Sequence, residues 1–188
     1  ELALAAGKDP VAFRLAQIGD DPAGVRLKKV IEKAAEAGGW KDEVVDGKAM
    51  GFAASTDANT PCAHVVEVSV EGKEIKVHKV TCVMDPGLVV NPDQVRAQCE
   101  GAIIMGMSAT MFEKMTVRKG ELTPSIYGPY KMALMRIAPK EIDGILLENA
   151  DKPGAVGEPP MGPIAAAIAN AVFRITGQRL REMPMELA

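Results

Sequence analysis

Residues 77–117 read VHKVTCVMDPGLVVNPDQVRAQCEGAIIMGMSATMFEKMTV, and the change of period inside this stretch decides the fold. Up to Met84 the apolar residues alternate as they do in a strand. From Asn91-Pro92 a long helix opens, with Asn as its cap and Pro at the first helical position, and it is expected to run to about Lys114. Asp85-Pro86-Gly87 lies between the two and is expected to break the strand. The alternation also changes phase. Ile75 and Val77 put the apolar face on odd numbers, whereas Val80, Cys82 and Met84 put it on even ones. This implies a β-bulge near His78-Lys79, or burial on both faces. The helix carries Gly101 and Gly106 in its interior, each costing ~1 kcal/mol relative to Ala. Helices accept that cost where a second backbone or a ligand comes close.

Working upstream, Val66, Val68 and Val70 alternate with Glu67, Ser69 and Glu71, and Gly72-Lys73 turns the chain into the next strand. The first 40 residues read as helix. Asp9-Pro10 starts a segment over Val11 to Ile18, and Asp20-Asp21-Pro22 starts a second that Gly38-Gly39 ends. Its charged face is read as solvated surface. Downstream come a hairpin from Met115 to Thr123 about Lys119-Gly120, a turn at Tyr127-Gly128-Pro129-Tyr130 and a strand from Ile142 to Leu147. A Gly/Pro-rich run, 153–163, leads into a small-residue helix, Ile164 to Thr176, ended by Gly177. The fold class is therefore α+β. A helical lead-in over 1–40 precedes an α+β domain over 41–188 that contains β-hairpins and two glycine-containing helices.

The 188 residues carry 22 basic and 25 acidic side chains, a net charge of −3, which leaves no electrostatic footprint for nucleic acid. With 47% apolar residues the composition is globular, and no apolar run approaches the ~20 residues needed to span a bilayer. Aromatics are scarce at 4%, so a core of Met, Val and Ala is expected. Cys62, Cys82 and Cys99 show no C-x-x-C pair, and only His64 and His78 accompany them. The cysteines read as packed, reduced thiols and the histidines as surface or half-buried imidazoles, with no metal site. The chain begins at Glu1, already in helical sequence and with no secretory leader pattern, so a fragment, a processed subunit or a trimmed piece is expected. The compartment is not read from it.

One stretch has the character of a site: AVGEPPMGP, residues 155–163. Pro159 biases Glu158 toward an extended backbone, Pro160 stiffens the turn after it, and Gly157 removes bulk before it. The helix N-terminus a few residues on offers free N–H groups and partial positive charge. A carboxylate aimed from a rigid turn into a partly dry site, its pKa raised, suits a general base. The same residues also fit a plain turn into a helix with a solvent-facing Glu.

Three stretches decide between these readings. AAGKDPVAFRL at 5–15, the 77–117 segment, and GAVGEPPMGPIAAAIANAVFRITGQRLREMP at 154–184 resemble, in order, the C-terminal part of the large subunit of the xanthine oxidase/aldehyde oxidoreductase family of molybdenum hydroxylases. The resemblance implies that family's molybdenum-cofactor-binding fold. It also implies that Glu158 is the catalytic base, taking a proton from a water-derived hydroxyl on the metal. The oxygen then attacks an electrophilic carbon of an N-heterocycle or aldehyde, and hydride passes to a sulfido ligand. Gln98, Gly101, Met105, Gly106, Ala155, Val156 and Gly157 are implied to approach the molybdopterin, in a dinucleotide form, with Glu100 less directly matched. Relatives have Gln where this chain has Met105, whose thioether cannot replace the amide's hydrogen bonds, so only backbone contact carries over there. Asp85-Pro86-Gly87 stands where D-C-G is usual, and Thr60-Pro61-Cys62 where an aromatic-containing segment is usual.

The family's upstream cofactor loops and substrate-pocket residues are missing from these 188 residues, as are iron–sulfur cysteines. The implied partners are the remainder of the large subunit, a 2Fe-2S small subunit holding the iron–sulfur clusters, and a small-molecule substrate, and the chain alone is expected to be silent. A second reading, a non-catalytic subunit-interaction module that keeps the fold, remains open.

Overall fold

The computed structural model describes all residues 1–188. Three short-to-medium helices lead: α1 (Leu2–Ala5), α2 (Pro10–Ala16) and α3 (Pro22–Gly38). The carboxylates of Asp9 and Asp21 cap α2 and α3 by accepting from backbone N–H groups, each with Pro at the helix start, and Gly39 closes α3 in the left-handed region at φ 62°. Three antiparallel strands come next, β1 (Lys48–Asp57), β2 (Thr60–Glu71) and β3 (Glu74–Gly87). Helix α4 (Pro92–Met111) then crosses over the sheet. A two-stranded hairpin, β4 (Thr116–Arg118) and β5 (Glu121–Thr123), precedes β6 (Glu141–Glu148), which pairs parallel to β3. The main sheet has the order β1-β2-β3-β6, and α5 (Gly162–Thr176) closes the fold. The α+β expectation holds, and the helix–strand boundaries lie within a few residues of those read from the sequence.

The period-2 geometry of the strands sorts side chains into two cores. Cys62, Val66, Val80, Cys82 and Met84 meet Val95, Ile103 and Met107 of α4 and Ile164, Ile168 and Val172 of α5 on one face. Ala63, Val65 and Val83 meet Val30, Ile31 and Ala34 of α3 on the other. The lead-in helix α3 thus shares a core with the sheet, and each Val or Ile side chain so buried contributes about 1.5–3 kcal/mol. The phase change has both of its offered causes. Glu67 pairs with Lys79 and Val68 with Val77, leaving His78 as the extra residue of a bulge, and β3 is buried on both faces over 80–87.

Two expectations need correction. The first is the strand break at Asp85-Pro86-Gly87, since β3 runs on to Gly87 with Asp85 only 3% exposed. Asp85 is tolerated there because every direction around it supplies a donor. Arg26 of α3 donates through Nε to Oδ2 (2.9 Å) and through Nη2 to Oδ1 (3.0 Å) and to the Asp85 carbonyl (2.7 Å). Asn149 Nδ2 and the Gly87 N–H also donate to Oδ1, at 2.7 and 3.1 Å. The Asp85 carboxylate in turn raises the Arg26 pKa above its ordinary value. The second concerns His64, expected at or near the surface, which lies wholly buried beneath α5 with 0% exposure. Residue parity explains it, because 62, 64 and 66 all face the α4–α5 core. The three cysteines are buried free thiols as expected, but Cys62 and Cys82 are not merely packed. Their sulfurs lie 3.5 Å apart, and the hydrogen bond between them pulls the Cys62 pKa down and pushes that of Cys82 up.

Strand β1 and helix α5 approach so closely that a Cβ at Gly51 would lie 1.8 Å from the Ala167 carbonyl. Gly51→Ala is therefore expected to force α5 off the sheet and cost about 1–3 kcal/mol or more. Asp85→Ala strands the half-buried Arg26 charge and is expected to cost about 3 kcal/mol, the lower end for a broken buried pair because Arg26 keeps some water contact. Urea denaturation monitored by circular dichroism reads both, and a midpoint unchanged from the parent would contradict either assignment.

Candidate functional site

The Glu158 loop hangs between the end of the sheet and the start of α5, and its backbone is stitched down along its length. The Leu88 N–H donates to the Asp151 carbonyl, the Gly154 N–H to the Pro86 carbonyl (2.9 Å) and the Ala155 N–H to the Ala58 carbonyl (3.1 Å). Thr60 Oγ1 donates to the Ala155 carbonyl at 2.6 Å. Because Ala58 lies in the β1–β2 turn, Thr60 opens β2 and Pro86 is the next-to-last residue of β3, the loop inherits the rigidity of the sheet. Pro159 and Pro160 are buried, and the Met161 N–H donates to the Glu158 carbonyl at 2.8 Å, closing a turn over both rings. Glu158 is left exposed on the outer side of this bend. A partly dry setting was expected, and within this chain Glu158 does not have one. The anchored backbone and stiff turn are present, but a wall over the carboxylate is not.

Helix α4 supplies the neighbouring surface. Asn91 caps it by accepting from the Gln94 N–H, and Val95, Cys99, Ile103 and Met107 bury one side. Gln98, Gly101 and Met105, spaced three and seven apart, line the exposed side as one row. A Cβ added at Gly101 would meet nothing within 4 Å, so its missing side chain leaves open surface and no close helix contact inside this fold. A Cβ added at Gly157 would lie 3.1 Å from Gln98 Nε2, so the row on α4 and the Glu158 loop meet at these two residues. Gln98, Gly101, Met105, Gly157 and Glu158 therefore form one exposed, discontinuous surface.

Three of the expected contact residues lie differently. Gly106 is buried, and a Cβ there would come 2.5 Å from Ile164 Cγ2, so its bareness lets α4 and α5 approach each other. Ala155 commits both its N–H and its carbonyl to the chain itself. Val156 packs its side chain against the α4–α5 core. The first turn of α5 has no side-chain cap at Met161, which leaves N–H groups unclaimed beside the loop. Arg26, read from the sequence as part of a solvated face, instead holds the loop's footing through Asp85, together with Asn149 and Thr60, whose roles the sequence reading missed. The only signal for Asp85 was a carboxylate at the end of an apolar strand, and its long-range partners carry no local pattern.

The molybdopterin cofactor-binding domain family matches residues 4–139. The beta subunit of isoquinoline 1-oxidoreductase from Brevundimonas diminuta is 38% identical across the whole of this chain, which covers 24% of that protein. An aldehyde oxidoreductase molybdenum-binding subunit from Escherichia coli K12 is 34% identical over 69% of this chain and 19% of its own length. Among solved structures, the aldehyde oxidoreductase from Desulfovibrio desulfuricans superposes with a TM-score of 0.59 at 25% identity, over 66% of this chain and 14% of that one. The chain thus spans about a quarter or less of the length of these relatives. With the family model matching residues 4–139 and a relative 38% identical across the whole chain, the chain belongs to the molybdopterin cofactor-binding domain family, among the relatives of the xanthine oxidase/aldehyde oxidoreductase group.

Proposed function

We propose that this chain forms one wall of a molybdopterin site in an oxidoreductase that hydroxylates an N-heterocycle or aldehyde, with Glu158 as the general base. The observation that carries the reading is the meeting of Gln98 on α4 with Gly157, next to Glu158. It sets an exposed amide against a backbone position without a side chain, with the exposed Glu158 as the next residue along.

These residues fit a large polar guest. Gln98 offers both a donor and an acceptor, the bare surface at Gly101 leaves room for close approach along α4, and Gly157 keeps the junction open. Met105, 63% exposed, contributes backbone and an apolar thioether edge. When bound, the cofactor would supply the two-electron redox centre and an activated, water-derived oxygen. Glu158, held by its prolines, would accept the proton given up by that oxygen at one of its carboxylate oxygens. Covering this surface with the remainder of a larger subunit would exclude water from the carboxylate, giving the partly dry setting that a general base needs. Exposure of the site fits a chain covering a quarter of its relatives' length, and so does catalytic silence when alone. The dinucleotide form of the cofactor and electron transfer to iron–sulfur clusters on a 2Fe-2S partner subunit belong to the same proposal.

Two substitutions in the assembled enzyme test it. Glu158→Gln keeps shape but removes the base, and is expected to lower kcat by about 10²–10⁴-fold with molybdenum content unchanged. Undiminished turnover would leave the non-catalytic interaction module as the better reading. Gly101→Leu should stabilise α4 itself by about 0.5–1 kcal/mol, since Leu is the better helix former and meets no neighbour. It should nonetheless lower the molybdenum retained per chain, measured by elemental analysis. Full retention would remove α4 from the cofactor wall.

A further inference from the structure

In the buried core that the sheet shares with α4 and α5, three potential ligand side chains converge. Cys62 and His64 stand two apart on β2 and share a face, and Cys82 on β3 is the register partner of His64. All three are 0% exposed, and their sulfur and nitrogen donor atoms lie within 4.8 Å of one another. Neither ring nitrogen of His64 has a hydrogen-bond partner. A buried polar group left without a partner is destabilising, and the nearest polar neighbours are the Cys62 and Cys82 thiols themselves. A third sulfur, that of Cys99 on α4, borders Cys82.

The spacing suits a metal. An ion about 2.3 Å from each of two thiolates at the tetrahedral angle holds the sulfurs about 3.8 Å apart. The Cys62 and Cys82 sulfurs stand 3.5 Å apart, so only a few tenths of an ångström of adjustment is needed. We propose that Cys62, His64 and Cys82 form a closed, structural site for one thiophilic divalent cation, zinc, with Cys99 as the adjacent fourth donor. Binding deprotonates the Cys62 and Cys82 thiols, their two protons passing to solvent, the neutral imidazole gives a lone pair, and Cys99 stands by as a neutral thiol that keeps its proton. Two thiolates then cancel the charge of a divalent ion, whereas monovalent copper would leave net negative charge in a dry core. The ion would fasten β2 to β3 and, through Cys99, to α4, whose Gln98 is the next residue along. Full burial assigns it a holding role with no open position for substrate.

The test is metal analysis of the intact protein that carries this chain, produced in zinc-supplemented medium and dialysed against EDTA. Zinc, molybdenum and iron are read separately by element. One zinc per chain is expected, retained in the native state and released to a chromogenic chelator on unfolding in guanidinium. Cobalt substitution should give thiolate-to-cobalt charge-transfer absorption. Cys82→Val and the Cys62→Val/Cys82→Val pair, which keep apolar bulk, should lose both the zinc and that band, and His64→Gln should weaken retention. Only traces of zinc in the parent protein, a result that needs no variant to fold, would overturn the site. So would zinc that persists in the double variant. Stoichiometric copper in its place would overturn zinc as the occupant.

Discussion

The ion pair of Arg26 and Asp85 is the constraint on which the rest of the arrangement leans. Its carboxylate sits at the end of β3, almost without access to water, and is reached from α3 by the guanidinium and from beyond β6 by Asn149. A buried carboxylate is tolerable only when its lone pairs are filled, and here each oxygen accepts from at least one donor. The same guanidinium also donates to Asn59 at the β1–β2 turn, at 3.2 Å. One polar cluster thereby fixes the lead-in helix, the end of the sheet and the start of the Glu158 loop relative to one another. Such a cluster adds little net stability, because desolvation offsets much of its attraction. Its value lies in permitting one geometry and penalising others.

From that cluster comes the division of labour between the two faces of the sheet. The α3 face is a small apolar core that seats the lead-in helix. The opposite face carries α4 and α5, and the contact of Gly106 with Ile164 sets how deeply α4 sits. With that side of α4 spent on packing, its other side is released as the row Gln98, Gly101 and Met105. Close packing beneath and bareness above are two consequences of glycines in one helix, and they act at different places.

Much of this was legible in the residues. The cap and proline pairs at Asp9-Pro10, Asp21-Pro22 and Asn91-Pro92 marked three helix starts, and Gly39 and Gly177 two ends, because these features act within a few residues of themselves. The phase change from odd to even numbers located the bulge at His78 for the same reason. The family was legible through the ordered likeness of three segments to it, which composition and period could never have supplied. The fate of His64 was half visible. Its parity with Cys62 and Val66 carries a signal of burial that the surface reading passed over, but the nearness of the Cys82 sulfur depends on which residues β2 and β3 set opposite each other.

Local interactions therefore determined the elements and the punctuation between them, since a cap, a turn glycine or an alternation is complete within one stretch of chain. Everything that required two distant stretches to meet was decided by the tertiary structure. Arg26 finds Asp85 across 59 residues, Thr60 finds the Ala155 carbonyl across 95, and Gly157 comes up against Gln98 through the docking of a loop on a helix. The physical reason is that long-range partners are chosen by the packing of whole faces, which sets distance and direction together, whereas the chain's own order sets neither.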